Sequence, residues 1–475
     1  MRPSRLLSRL LSAALAAVLG ASPAVAEIDL DALFTGSVPR QDLVTAVFGG
    51  GMGMAGGARA AFGARLAPAA AQPVRREPPA PAAAISAEDL KRYIKLAAGD
   101  DGQFQRELLA TLQTSPTGRR ILKELIAEAK LAGVQVSVLP HRYEGSTIYV
   151  QNGTQRPNGT RGEMDTNTHT YTYNALFSEM NDRKLALEQA AGNAAHEFQH
   201  EVFSLRTQRL LVAKVPGYKA VIDSYDQLDE AWARPIGYMV GAELNGGRST
   251  PYTEEGRDLA NADDVDEFYE GMAMWGEYYA TRLMPKDWAD PIPAFQKRAE
   301  TLQRKIADMM DTRENWVPAR LSELDTLDRL AATPGKKYTH YKELKEQGAW
   351  DEIRSDVRAR QVSLPTKIQQ FETAFIKLRE RLAFLRAGAL PTGAKGHDPV
   401  AAGRLADMKR MAVDPAFLAL KGQFERDVKA YQDYVDSHGL PAAAPPKGKW
   451  TFAQYYEFIK NDRAAYPDHW ASNGG

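Results

Sequence analysis

Five consecutive residues, His196-Glu197-Phe198-Gln199-His200, constrain this chain more than any other stretch. The segment around them, Arg183 to Leu205, has no proline and is rich in Ala, Leu, Glu and Gln, which predicts a helix. A helix turns about 100° per residue, so side chains at i and i+4 stand above one another. His196 and His200 then project from one face, and Glu197 flanks them. Ala194, Ala195, Phe198, Val202 and Leu205 predict that the helix is buried. Two buried imidazoles and a carboxylate need partners, so the fold must bring a cation or hydrogen-bonding groups to this turn. The competing reading is a surface helix that happens to carry two histidines.

H-E-x-x-H on a helix is the pattern of a zinc hydrolase, with two imidazole ligands, a carboxylate base and an activated water. A catalytic zinc takes three protein ligands and keeps a fourth position open. The metzincin pattern would require Gly and His three and six residues after His200, where this chain has Phe203 and Arg206. Glu230 is the candidate third ligand. It lies in a stretch that reads as helical from about Tyr218 and that Pro235 should end or kink. Ala231 and Ala233 would let that helix come close to the histidine helix. Asp226, Asp229 and Glu201 are fallback ligands, and Glu267, Glu270 and Glu277 are weaker ones. A solvated helix carboxylate is the plain alternative for Glu230.

The pairing of His196-Glu197-x-x-His200 with a downstream helical Glu230 resembles the gluzincin type of zinc metallopeptidase. The Glu-Ala-x-Ala setting of Glu230 is similar to a group of little-characterised bacterial metallopeptidase-like domains. The resemblance covers about residues 115 to 285. It implies that His196, His200 and Glu230 bind one Zn2+ ion and that Glu197 is the general base. Thermolysin-like members carry an aspartate four residues after the third ligand, whereas this chain has Arg234. Orientation of the histidines must then come from another group, with Asp226, Asp229 and Asn193 as candidates.

Upstream, Val134–Val138, Thr147–Val150 and Thr168–Asn174 are β-prone. The last reads either as a sheet edge on which an extended peptide could pair or, equally, as a plain sheet strand. Asn152-Gly153 and Asn158-Gly159 predict turns between the second and third. Both also fit the N-glycosylation pattern. His169, Tyr171, Tyr173, Tyr238 and Tyr269 are candidates for stabilising a tetrahedral oxyanion, although each reads as a packing residue before a catalytic one. Asp263–Leu283, with its methionines and aromatic residues, predicts a core helix.

The ends and the composition set the context. Arg2, Arg5 and Arg9, the apolar Leu10–Gly20 and Ala24-Val25-Ala26 form a secretory leader pattern. Residues 1–26 are therefore expected to be a signal peptide, which implies an exported protein, periplasmic or secreted. Without the leader the chain has 57 basic and 60 acidic residues, which gives no case for nucleic acid. No later apolar run is long enough to span a bilayer. With no cysteine there are no disulfides or thiolate ligands, so a metal must take N and O donors. Residues 27–85 are rich in Gly, Ala and Pro and read as a disordered linker or a pro-segment. Helices are expected after Ser86 and over Thr117–Ala132, the latter stopping at Gly133.

The expected fold class is α+β. A zincin-like metallopeptidase domain with a small sheet and the H-E-x-x-H helix spans 86–285, and a mainly α-helical domain spans 286–475. In the latter, Ile368, Phe371, Phe375, Leu378, Leu382 and Leu385 form a seam at alternating spacings of three and four. Helices bearing Leu302, Ile306 and Met309, or Leu321, Leu324 and Leu327, are its candidate partners. The expected activity is hydrolysis of peptide bonds in a peptide or protein substrate. The alternatives are an envelope zinc hydrolase acting on peptidoglycan peptides and a non-catalytic helical scaffold with a decayed motif. The oligomeric state is not legible.

Overall fold

Residues 85–97, 100–151, 154–157, 160–245, 272, 277–438 and 450–470 are described by a computed structural model. They belong to one unit of the chain, Val47–Gly475. The leader, nearly all of the 27–85 segment, most of Asp263–Leu283 with Glu267, Tyr269 and Glu270, and both Asn-Gly pairs lie outside the described residues. What is described is a mostly helical α+β structure with a small mixed sheet of four strands.

Ser86 caps α1 (Ala87–Tyr93) by accepting from the Asp89 N–H, a contact of about 1 kcal/mol. Ile94 and Leu96 do not continue that helix but form β1 (Ile94–Leu96). Next come α2 (Asp100–Thr114) and α3 (Pro116–Ala132). The latter is capped by Ser115 and stopped by Gly133, whose φ of 71° suits a residue without Cβ. β2 (Val136–His141) follows. β3 (Ile148–Gln151) and β4 (Thr154–Pro157) form a separate antiparallel pair.

The main sheet is completed by β5 (Gly162–Asp165) and β6 (Thr170–Asn174), in the order β1-β2-β6-β5. β1, β2 and β6 run parallel, and β5 is antiparallel to β6. The edge reading of Thr168–Asn174 is therefore corrected. β6 pairs with strands on both sides, and the edge is β5. Gly-Glu-Met-Asp has weak strand propensity, so its pairing with β6 is set by the hairpin register and not by local preference.

After the short α4 (Leu176–Glu179) comes α5 (Arg183–Thr207), the histidine helix, capped by the Asp182 side chain. It is buried on nearly every side and continues into a π-helical turn, Gln208–Val212. α6 (Gly217–Tyr225) ends at Asp226, where the backbone is extended. The Asp226 carboxylate accepts the Leu228 N–H and starts α7 (Leu228–Asn245). The single helix expected from Tyr218 is thus two helices, and Pro235 lies inside the second instead of ending it. A proline inside a helix costs about 3 kcal/mol, and packing of α7 against α5, α3 and α14 (Pro415–His438, below) offsets that here.

Among the described residues beyond α7 are α8 (Glu277–Ala280), α9 (Pro291–Asp311), α10 (Val317–Ala332), α11 (Thr339–Glu346) and α12 (Asp351–Ala389). They are followed by α13 (Pro399–Ala412), α14, α15 (Phe452–Ala465) and α16 (Pro467–Trp470). The predicted seam lies on α12, which packs on α9, α10 and α13. Ile368, Phe371, Leu378, Leu382 and Leu385 are buried, as are Leu302, Met309, Leu324 and Leu327 on the facing helices. Residues on both sides of position 285 share one apolar cluster. Trp288 stacks on Phe417 with ring centroids 5.0 Å apart. Trp232 of α7 lies edge-on between Phe203 and Phe424 and donates from its indole N–H to Asp427. Helix α14 therefore backs the helix that carries Glu230. Among the described residues no helix is long and apolar enough to cross a membrane.

Candidate metal centre

The close approach of α5 and α7 brings the motif and Glu230 together. Ala231 and Ala233 are fully buried. His196 and His200 Nε2 lie 3.1 Å apart. Glu230 Oε2 is 3.2 Å from His200 Nε2, and Glu230 Oε1 is 3.6 Å from His196 Nε2. Four ligands at 2.0–2.1 Å around a tetrahedral zinc are separated by about 3.3 Å; the two imidazole nitrogens, and His200 with Glu230 Oε2, are close to that spacing, and the carboxylate oxygen nearest His196 is Oε1. The ligand atoms of His196, Glu197 and His200 also lie within 4.8 Å of one another. The donor set is nitrogen and oxygen only, which fits zinc in a cysteine-free chain.

The surrounding groups aim these donors. Asp229 Oδ1 lies 2.8 Å from His200 Nδ1. That contact fixes the ring so that Nε2 faces Glu230. Asp229, one of the three groups weighed for orienting the histidines, is thus the one in contact with His200. His196 Nδ1 is buried and makes no hydrogen bond of ordinary geometry, with the Ala233 backbone as its polar neighbour. Glu197 sits with its Oε1 4.0 Å from His196 Nε2, and that oxygen accepts from Asn193 Nδ2 at 3.3 Å. Asn193 in turn accepts from the Tyr171 hydroxyl. Gly162 at the start of β5 makes room for this relay, since a Cβ there would stand 2.1 Å from Asn193 Oδ1.

Burial governs the proton affinities. It pushes Glu197 up to about 7, against the pull of His200, and brings His196 down to about 3. On His200 burial is outweighed by Asp229 and Glu230, which hold the imidazole well above its ordinary value. On Glu230 burial is outweighed by Arg234 and the two histidines, which keep the carboxyl well below its usual range. Glu197 is therefore the carboxylate of the site whose affinity suits accepting a proton near neutral pH.

The other candidates lie elsewhere. Asp226 caps α7, and Glu201 faces His169, whose Nδ1 is 2.6 Å from its Oε1. His169 adopts a positive φ of 53° in the β5–β6 turn. Tyr173 stacks on Phe104, and Tyr238 packs against Tyr431 in the core. Sequence reasoning missed Tyr279 as a site residue and gave Arg234 no role. Tyr279 OH and Arg234 Nε each lie 2.8 Å from Glu230 Oε1. The i,i+4 spacing of Glu230 and Arg234 was the available signal. Tyr279 reaches the site from a distant segment and left none. No family model, curated protein or solved structure matches this chain.

Proposed function

We propose that this chain is a zinc-dependent metallopeptidase whose α5, α7 and four-stranded sheet form a zincin-like catalytic region. One observation carries the reading: the Nε2 atoms of His196 and His200 lie 3.1 Å apart, and the Glu230 carboxylate approaches them to 3.6 and 3.2 Å with Glu197 beside them. A zinc ion held there supplies a Lewis acid that polarises the scissile carbonyl and lowers the pKa of a water. Glu197 takes the proton of the attacking water and delivers it to the leaving amine. Asn193 holds Glu197 Oε1 and so leaves Oε2 for that proton. The β5 edge, antiparallel to β6 and packed beside α5, offers backbone groups on which an extended peptide substrate can pair. The Arg2–Ala26 leader pattern supports action outside the cytoplasm.

The experiment is Glu197→Gln. The variant should keep one zinc per chain and lose peptide hydrolysis by about 100-fold or more. Undiminished turnover would remove Glu197 from its role.

A further inference from the structure

Two donors converge on a single oxygen of the third ligand. Glu230 Oε1 accepts from Arg234 Nε and from Tyr279 OH, both at 2.8 Å. Arg234 Nη2 also donates to the Tyr279 oxygen at 2.7 Å. A guanidinium has no acceptor, so the tyrosine oxygen must accept from it, and the single phenolic proton is directed at Glu230. The direction of the triangle is therefore fixed. A carboxylate oxygen has about two lone-pair sites in its plane. Both sites of Oε1 are taken by these donors. Oε2, at 3.2 Å from His200 Nε2, keeps its own.

We propose that Arg234 and Tyr279 are positioning residues that make Glu230 a one-oxygen ligand. By occupying Oε1 they bar the two-oxygen grip that a carboxylate otherwise offers, and they keep one coordination position open for water and substrate. This inference rests on the metallopeptidase reading and deepens it. It also gives a reason for arginine at position 234, where the resemblance would place aspartate. An anion there would repel Oε1, whereas a fixed fork of donors anchors it.

The test uses the whole chain, loaded with Zn2+ and separately with Co2+, as wild type, Tyr279→Phe and Arg234→Lys. Zinc affinity is read by competition with a chromophoric chelator, and coordination number by the visible absorption of cobalt. The wild type should show the intense spectrum of four-coordinate cobalt. Each variant should lose about 10-fold in zinc affinity and show a weaker cobalt band, as the freed Oε1 joins the ion, with unchanged far-UV circular dichroism. Variants with wild-type cobalt spectra and zinc affinities within about two-fold of wild type would overturn this inference and leave the parent reading intact. A wild-type chain that takes up neither ion would overturn both.

Discussion

Replacing Asp229 tests how the histidine pair is aimed. Its carboxylate lies 2.8 Å from His200 Nδ1, and its side chain is 28% exposed. Hydrogen bonds to charged groups contribute about 1.5–3 kcal/mol, and partial exposure places this one near the low end. At about 1.4 kcal/mol per decade, Asp229→Ala should weaken zinc binding about 10- to 30-fold. Asn at 229 keeps an acceptor oxygen for the Nδ1 proton and loses only the charge, so Asp229→Asn should cost less, about 3- to 10-fold. Chelator competition at fixed pH measures both. The reasoning fails if both variants bind zinc as the wild type does. It fails in another way if Asp229→Ala abolishes binding while Glu230→Ala retains it, because Asp229 would then be the ligand and Glu230 its support.

Asp226 provides a pH test away from the metal ligands. Burial, with Asp229 adding to it, raises this carboxyl from 3.8 to about 7, against the Leu228 N–H and Arg282. A carboxyl whose folded value is raised contributes stability that is complete below pH 3.8 and is lost as pH climbs through 7. At 1.36 kcal/mol per pH unit the loss is about 4 kcal/mol. Asp226→Asn keeps an oxygen for the Leu228 N–H, so its stability relative to wild type should rise between pH 4 and pH 8 in urea unfolding. A difference that does not change with pH would refute the burial argument. Gly162→Ala should cost about 1–3 kcal/mol of stability and lower hydrolysis as well, because the added methyl displaces Asn193 from Glu197. Wild-type stability and turnover in that variant would show that the strand has room to spare.

The parts of the site that follow helical periodicity were legible in the sequence. His196 and His200 share a face because four residues make about one turn, and the alanines flanking Trp232 marked a helix able to come close. The rest depends on contacts made across the fold. Asp229 was weighed both as a ligand and as an orienting group, and adjacency to Glu230 could not decide between them. In the fold Asp229 faces Nδ1 of His200 while Glu230 faces its Nε2, a distinction that only the folded chain contains. The break between α6 and α7 was written in Asp226-Gln227-Leu228, where an aspartate two residues before a helix can accept its first N–H. Pro235 pointed the other way because local propensity says nothing of the packing that keeps α7 helical beyond it. Strand β5 was hidden for the same reason. Its four residues have little strand preference and are held by pairing with β6 and contact with α5. The seam on α12 was readable, but nothing local revealed that α14 carries Phe424 and Asp427 to the back of Trp232.

Metal content decides the central claim. Elemental analysis of the chain purified without added metal, alongside His196→Ala, His200→Ala and Glu230→Ala, should find one zinc per wild-type molecule and a loss of it in each variant. A wild-type protein with negligible zinc that also fails to take it up on titration would contradict the account.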